Sequence, residues 1–207
     1  RDIKLQGGDV VEPYLLFSNS HDGSQAIDIR LTTIRVVCQN TLTIALSGRA
    51  QKVFRRGHND SYAVLKEEAK GFFNFVTQQC EHAQALFDRL SEKQCDPAQF
   101  RLFLQGLMPD PARPVPAQYS SSVRQAYETR LRKLAADRDE IQTVFREGLP
   151  LQGISPVGET WWGAINAVTA WVDHRQAIQG ARYAHMLFGA GDRLKSDALA
   201  RARTAVA

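Results

Sequence analysis

The spacing of apolar residues changes once along this chain, and that change most constrains the fold. In the segment that contains Ile27, Ile29 and Leu31, apolar and polar residues alternate, as they do in a half-buried strand. From about residue 60 onwards, apolar residues recur every three or four positions, which is typical of amphipathic helices. Strands followed by helices predict an α+β fold, in which a small antiparallel hairpin at roughly 13–38 packs against several long α-helices.

A proline-rich segment interrupts the helical part of the chain. Four prolines between residues 108 and 118 exclude a regular helix and predict an extended linker. We therefore expect residues 1–107 to form the hairpin and a helical core, and residues 119–207 to pack back on that core. Capping signals and apolar spacing predict helices at 42–46, 60–90, 97–107, 119–147, 159–181 and 192–205.

Composition bounds the cellular setting more than the function. The 207 residues carry a formal net charge of +4, which permits an anionic partner without requiring one. Three cysteines without framework spacing indicate reduced thiols, and no apolar run approaches the length needed to span a membrane. We expect a cytoplasmic protein without a membrane contact.

The stretch SNSHDGS, residues 18–24, is the densest group of polar side chains. His21 and Asp22 could act as a general base and the residue that orients it. However, Asp, Asn, Ser and Gly are also the residues of a tight turn between two strands, and turn chemistry explains every residue here except His21. The sequence leaves both interpretations open.

Metal binding and cofactors are not expected. The chain has no CxxC or HExxH motif, and its five histidines are scattered. His174 follows Asp173 at the polar end of an apolar helix, where it could cap a turn or contribute to a site.

A basic connection follows the predicted hairpin and suggests a nucleic-acid partner. Positive side chains with an aromatic ring between them are what phosphate and single-strand binding require. The candidate residues for DNA or RNA binding are Arg30, Arg35, Lys52, Phe54, Arg55 and Arg56. Arg30 and Arg35 would lie on opposite faces of a regular strand.

Two paired motifs resemble a family of phage- and plasmid-like proteins of unknown function. They are Tyr14 to Ser24 and Arg35 to Leu42, and Trp162 to His174 looks like the C-terminal signature of that family. The resemblance implies a home in prophages, plasmids and other transferred DNA. It also implies a further N-terminal portion, so the chain is expected to be the C-terminal part of a longer protein. His58 falls where the family has a His just before its first long helix. The polar positions that the resemblance singles out could together form one polar cluster where the hairpin meets the helices, and they are Ser18, Asn19, Ser20, His21, Asp22, Arg35, Asn40, His58, Asp173 and His174.

Three hypotheses for function follow. The leading one is a non-enzymatic nucleic-acid-binding accessory of a mobile element, acting on single-stranded DNA. The second is a hydrolase or nuclease that uses His21, Asp22, His58 and His174 around one pocket. The third is an oligomerisation or protein-interaction module built on the long helices, including formation of a homo-oligomer.

Overall fold

The structure is a computed structural model, and it describes residues 2–5, 9–18, 27–35, 40–43, 54–56, 81–115, 120–175 and 189–207. The strands are β1 (Ile3–Lys4), β2 (Val10–Ser18), β3 (Ile27–Arg35), β4 (Asn40–Thr43) and β5 (Phe54–Arg56). The helices are α1 (81–92), α2 (Pro97–Leu107), α3 (Ser121–Glu147), α4 (Trp161–Ala170) and α5 (Ala190–Ala205). A single 3₁₀ turn, Pro150–Gln152, precedes α4. A single turn of π-helix, Trp171–Arg175, follows α4, and we call it the π-turn.

The strands form one antiparallel sheet in which β3 is central. β2 pairs along the whole of one edge of β3, while β4 and β5 pair with different parts of β3. β1 reaches only as far as Val11 of β2. Pro13, which lacks a backbone N–H, therefore lies beyond the pairing with β1, where its missing donor costs the sheet little.

The α+β prediction is wrong in its balance, because the molecule is mostly helical. Helices account for more than half of the residues that the structure describes, and the core is built almost entirely from them. Among the side chains described, only Leu5 and Val11 join that core from the strand region. In the part of the chain whose side chains are described, the helices bury their apolar faces mainly against one another.

Aromatic side chains make contacts between the helices. The ring of Phe87 in α1 lies 4.8 Å from that of Trp162 in α4, and Phe100 in α2 lies 4.2 Å from Phe145 in α3, both measured between centroids. Trp161 meets Phe103 edge to face at 5.4 Å. Buried aromatic side chains of this size each contribute about 1.5–3 kcal/mol, so these contacts fix the four helices as one packed body.

Local signals set most helix starts. Asp96 caps α2 by accepting from the backbone N–H groups of Ala98 and Gln99, and the Gln99 side chain accepts from the Asp96 N–H in return. Ser120 caps α3 and Thr160 caps α4 in the same way, each through its hydroxyl oxygen.

Two further sequence predictions need correction in this region. The short helix expected at 42–46 is not formed at its start, because residues up to Thr43 belong to β4 and pair with β3. Pairing with β3 and the β-branched threonines of β4 outweigh the local signals that predict a helix here. The basic connection at 49–58 also contains a strand, β5. In the part of the chain that is described, no helix combines the length and apolar character needed to cross a membrane.

Candidate functional site

The pairing register sorts the strand residues onto two faces of the sheet. Residues directly opposite one another in antiparallel strands share a face, and neighbours along a strand alternate. We name the faces after two residues of β2: Tyr14 is 45% exposed, whereas Val11 is 1% exposed. The Val11 face is therefore the face turned towards the core.

The predicted basic residues divide between these faces. Arg30 lies opposite Leu16, and Arg55 lies opposite Asp28, so both positions belong to the Tyr14 face. Arg35 lies opposite Val11, while Phe54 and Arg56 lie opposite Ile29 and Ile27, which places these three positions on the Val11 face. Arg30 and Arg35 thus lie on opposite faces, and one groove can include only one of the two groups. Lys52 lies outside the described residues.

Tyr14 is a candidate that the sequence analysis did not assign to the interface. It lies opposite Thr32 in β3, which makes Arg30 a diagonal neighbour at about 7–8 Å between Cα atoms. Its hydroxyl donates to the Glu12 carboxylate, and this hydrogen bond raises the pKa of the phenol. The ring therefore stays neutral and accessible. Its place in the alternation of Glu12, Tyr14 and Leu16 was the signal that could have identified it.

The Tyr14 face combines a stacking surface with nearly balanced charge. Lys4 lies opposite Val10, which shares this face, so its described positions hold three cations, Lys4, Arg30 and Arg55, and two acids, Glu12 and Asp28. An exposed ring on a sheet can stack on a nucleic-acid base, and a neighbouring arginine can hold a phosphate. Because the face carries little excess positive charge, a polyanion would need further cations elsewhere on the molecule.

A buried ion pair includes Asp173, which belongs to the C-terminal sequence motif. Asp173 stands in the π-turn after α4, and the Lys195 ammonium in α5 donates to its Oδ1 at 2.8 Å. Both side chains are 1% exposed. The pair joins the π-turn to the C-terminal helix through a charge-assisted hydrogen bond in a region of low dielectric constant.

The sequence analysis did not single out Lys195 as a site residue. Only its position in the helix, and not its residue type, indicates that it is buried. It falls in the row Gly191, Lys195 and Leu199, whose members are four residues apart and all buried. A lysine in the inward row of an amphipathic helix signals a buried partner, since an unpaired charge there would be strongly destabilising.

One strand that holds a predicted polar position, Asn40, packs against these helices. β4 packs against α4 and α5, the latter of which carries Lys195, and Asn40 of β4 lies opposite Arg35. His174 is half-buried and follows Asp173 in the chain. The other predicted members of the site, His21, Asp22 and His58, lie outside the described residues. Asp173, His174 and Lys195 each take part in further polar interactions. The arrangement resembles a hydrogen-bonded network more than an open catalytic site.

The geometry of the buried pair limits its chemistry. With side chains that are 1% exposed, neither group can meet a dissolved substrate in this conformation. Within the described ranges, no group of three or more His, Cys, Asp or Glu side chains could hold a metal ion. Asp173 and Lys195 are thus placed to position the π-turn.

Comparison with known proteins gives a family match and nothing closer. The model of a family described as a domain of unknown function (DUF932) matches residues 1–205. No curated protein and no solved structure matches the chain.

Proposed function

Since the chain belongs to the DUF932 family, whose description assigns no activity, we propose its function from its own chemistry: a non-enzymatic nucleic-acid-binding accessory that acts on single strands. The observation that carries the proposal is the exposed Tyr14 ring on the sheet face that also holds positions Arg30 and Arg55. Rings on sheet faces bind single strands by stacking, which tolerates any base sequence. The net charge of +4 supports an anionic partner.

The setting we propose is the cytoplasm of a cell that carries phage or plasmid DNA. The resemblance of the SNSHDGS and RVVCQNTL motifs to phage- and plasmid-like proteins supports this origin. A protein of mobile DNA that handles single strands would serve replication or recombination. On this proposal the protein holds a strand and leaves its covalent bonds intact.

The test is fluorescence-anisotropy titration of labelled single-stranded DNA and RNA with the protein and with Tyr14→Ala and Tyr14→Phe. Loss of one stacking ring removes about 1–3 kcal/mol, so Tyr14→Ala should weaken binding roughly 5- to 150-fold. Tyr14→Phe keeps the ring and should bind as the native protein does. Equal affinity for all three proteins would contradict the proposal.

A nuclease-type hydrolase is the second candidate, and the π-turn at Asp173 and His174 favours it. Single turns of π-helix often occur at functional sites, and the His174 side chain is only half-buried there. The test is incubation of end-labelled DNA with the protein and with His174→Ala, with and without divalent metal ions. Cleavage that His174→Ala abolishes would favour this candidate, and intact DNA in every sample would exclude it.

A further inference from the structure

The residues from Met108 to Val115 are buried with a period of three, and we call them the proline ridge. Met108, Pro111 and Pro114 are half-buried, whereas the other residues of the ridge are exposed. Among the described residues, 109–115 make no backbone–backbone hydrogen bond. Three residues per turn without internal hydrogen bonds is the geometry of a polyproline-II helix. The ridge therefore keeps one edge against the protein and presents the other two to solvent.

One end of the ridge is fixed to α3 by Arg138. Its guanidinium donates through Nε to the Met108 carbonyl oxygen at 3.0 Å and pairs with the Asp110 carboxylate at 2.9 Å. Because the Arg138 side chain is only 15% exposed, water competes little for these bonds. The start of the ridge thus has a fixed position on the helix.

The path of the ridge follows from the position of the next helix start. Ser120, which caps α3, lies about 27 Å from Arg138 along the helix axis. As a polyproline-II chain, the stretch from Asp110 to Ser120 would cover about 31 Å. The described part of the ridge therefore has to run back along α3 in an extended form. The half-buried apolar residues in this part of α3 lie on the row that continues to Arg138, and they are Tyr127, Leu131 and Leu134.

The outer edges of the ridge are mostly apolar and carry an exposed arginine. The residues of one outer row are all exposed, and they are Pro109, Ala112 and Val115. Val115 is 54% exposed. Arg113 is exposed on the other outer row, where the Asp110 carboxylate is already paired with Arg138. Because a polyproline-II chain is rigid before binding, a partner can bind it at a small cost in conformational entropy.

We infer that the proline ridge is a binding surface for a partner protein whose groove is lined by aromatic side chains and flanked by a carboxylate. Such grooves accept polyproline-II ligands, and the carboxylate would pair with Arg113. A nucleic-acid strand fits the ridge poorly, since one arginine cannot hold several phosphates. A second copy of this chain also fits poorly, because three small side chains expose far less than the about 800 Å² that each partner buries in a stable dimer. The inference goes beyond the proposed function and does not depend on nucleic-acid binding.

The test titrates isotopically labelled SH3, WW and EVH1 domains with the full chain and follows their amide NMR signals. These domains bind polyproline-II ligands in aromatic-lined grooves and stand in for the partner. The native chain should shift the groove signals of at least one domain. Val115→Asp should weaken that binding at least about tenfold, because it moves a carboxylate into an apolar groove. Arg113→Gln should weaken it less, by an amount that decreases at high salt.

Leu151→Asp is the matched control for Val115→Asp. Leu151 is 96% exposed and lies outside the ridge, in the 3₁₀ turn before α4. This variant introduces the same charge on an exposed apolar residue and should bind as the native chain does. Circular dichroism checks that each variant keeps the native helix content.

Three results would overturn the inference. A native chain that shifts no groove signal in any of the three domains would show that the ridge is not such a ligand. Equal weakening by Val115→Asp and Leu151→Asp would reduce the binding to non-specific apolar contact. A dimer in sedimentation velocity that Val115→Asp dissociates and Leu151→Asp does not would assign the ridge to a second copy of the chain.

Discussion

Replacement of Lys195 by methionine should be among the most damaging single changes in this protein. Methionine fills most of the lysine volume but leaves the Asp173 carboxylate buried without its cation at 2.8 Å. Removing one partner of a buried ion pair costs about 3–5 kcal/mol, chiefly through the uncompensated charge. For a chain of this size, that loss corresponds to a fall in Tm of about 6–20 °C.

The chain provides a matched control for burial. Lys133 and Asp137 form an ion pair of 2.9 Å, close to the length of the buried one, but their side chains are 74% and 21% exposed. Lys133→Met should therefore cost less than about 1 kcal/mol. The two lysine variants differ mainly in burial, so their difference measures what burial contributes to each interaction.

A double-mutant cycle completes the test. Lys195→Met with Asp173→Leu removes both charges, so the pair should cost well below the sum of the two single changes. Urea unfolding of the four proteins, followed by circular dichroism, gives the free energies. Additive single changes, or a Lys195→Met cost no larger than that of Lys133→Met, would refute the reasoning.

The remaining predictions concern local geometry. Gly163→Ala should destabilise strongly, because the added Cβ would lie 2.0 Å from the Gly158 carbonyl oxygen, whereas Gly106→Ala in α2 should be neutral or slightly stabilising; thermal unfolding compares the two. Asp96→Ala should cost about 1–2 kcal/mol in urea unfolding, since it removes both hydrogen bonds at the start of α2, and an unchanged midpoint would argue against the cap. Burial, followed by the nearby acids Asp96 and Glu159, raises the pKa of the Cys95 thiol to about 12. This group should favour the folded state below pH 9 and lose up to about 1.4 kcal/mol per pH unit above it, since the unfolded chain releases the proton first; urea titrations from pH 8 to 10 check the sign.

Helix starts were the most predictable part of the fold. Asp96 followed by Pro97 predicts the start of α2, and the structure confirms it, because the cap depends only on neighbouring residues. The C-terminal helix, predicted at 192–205, is also confirmed within two residues. The long helix begins at Ser121, since the Ser120 hydroxyl caps it, and not at Tyr119 as predicted.

The features that failed depend on contacts distant in sequence. The predicted helix at 159–181 is confirmed at Trp161–Ala170, and residues 176–181 lie outside the described residues. The prediction missed that the helix continues as a π-helical turn at Trp171–Arg175, where Asp173 meets a lysine 22 residues further along. The helical balance of the core likewise depends on how faces pair, which apolar spacing does not reveal. The candidate site shows the same limit. Strand alternation already separates Arg30 from Arg35, but only the register shows that Arg55 shares a face with Arg30 and Arg56 with Arg35.

The comparison of Arg55→Ala with Arg56→Ala tests the proposed function most directly. The two residues are neighbours and lose the same charge, but their register positions lie on opposite faces of the sheet. Affinity for single-stranded DNA, measured by anisotropy at low and moderate salt, should fall for Arg55→Ala and remain native for Arg56→Ala. Equal effects of the two changes, or a loss confined to Arg56→Ala, would contradict binding on the Tyr14 face.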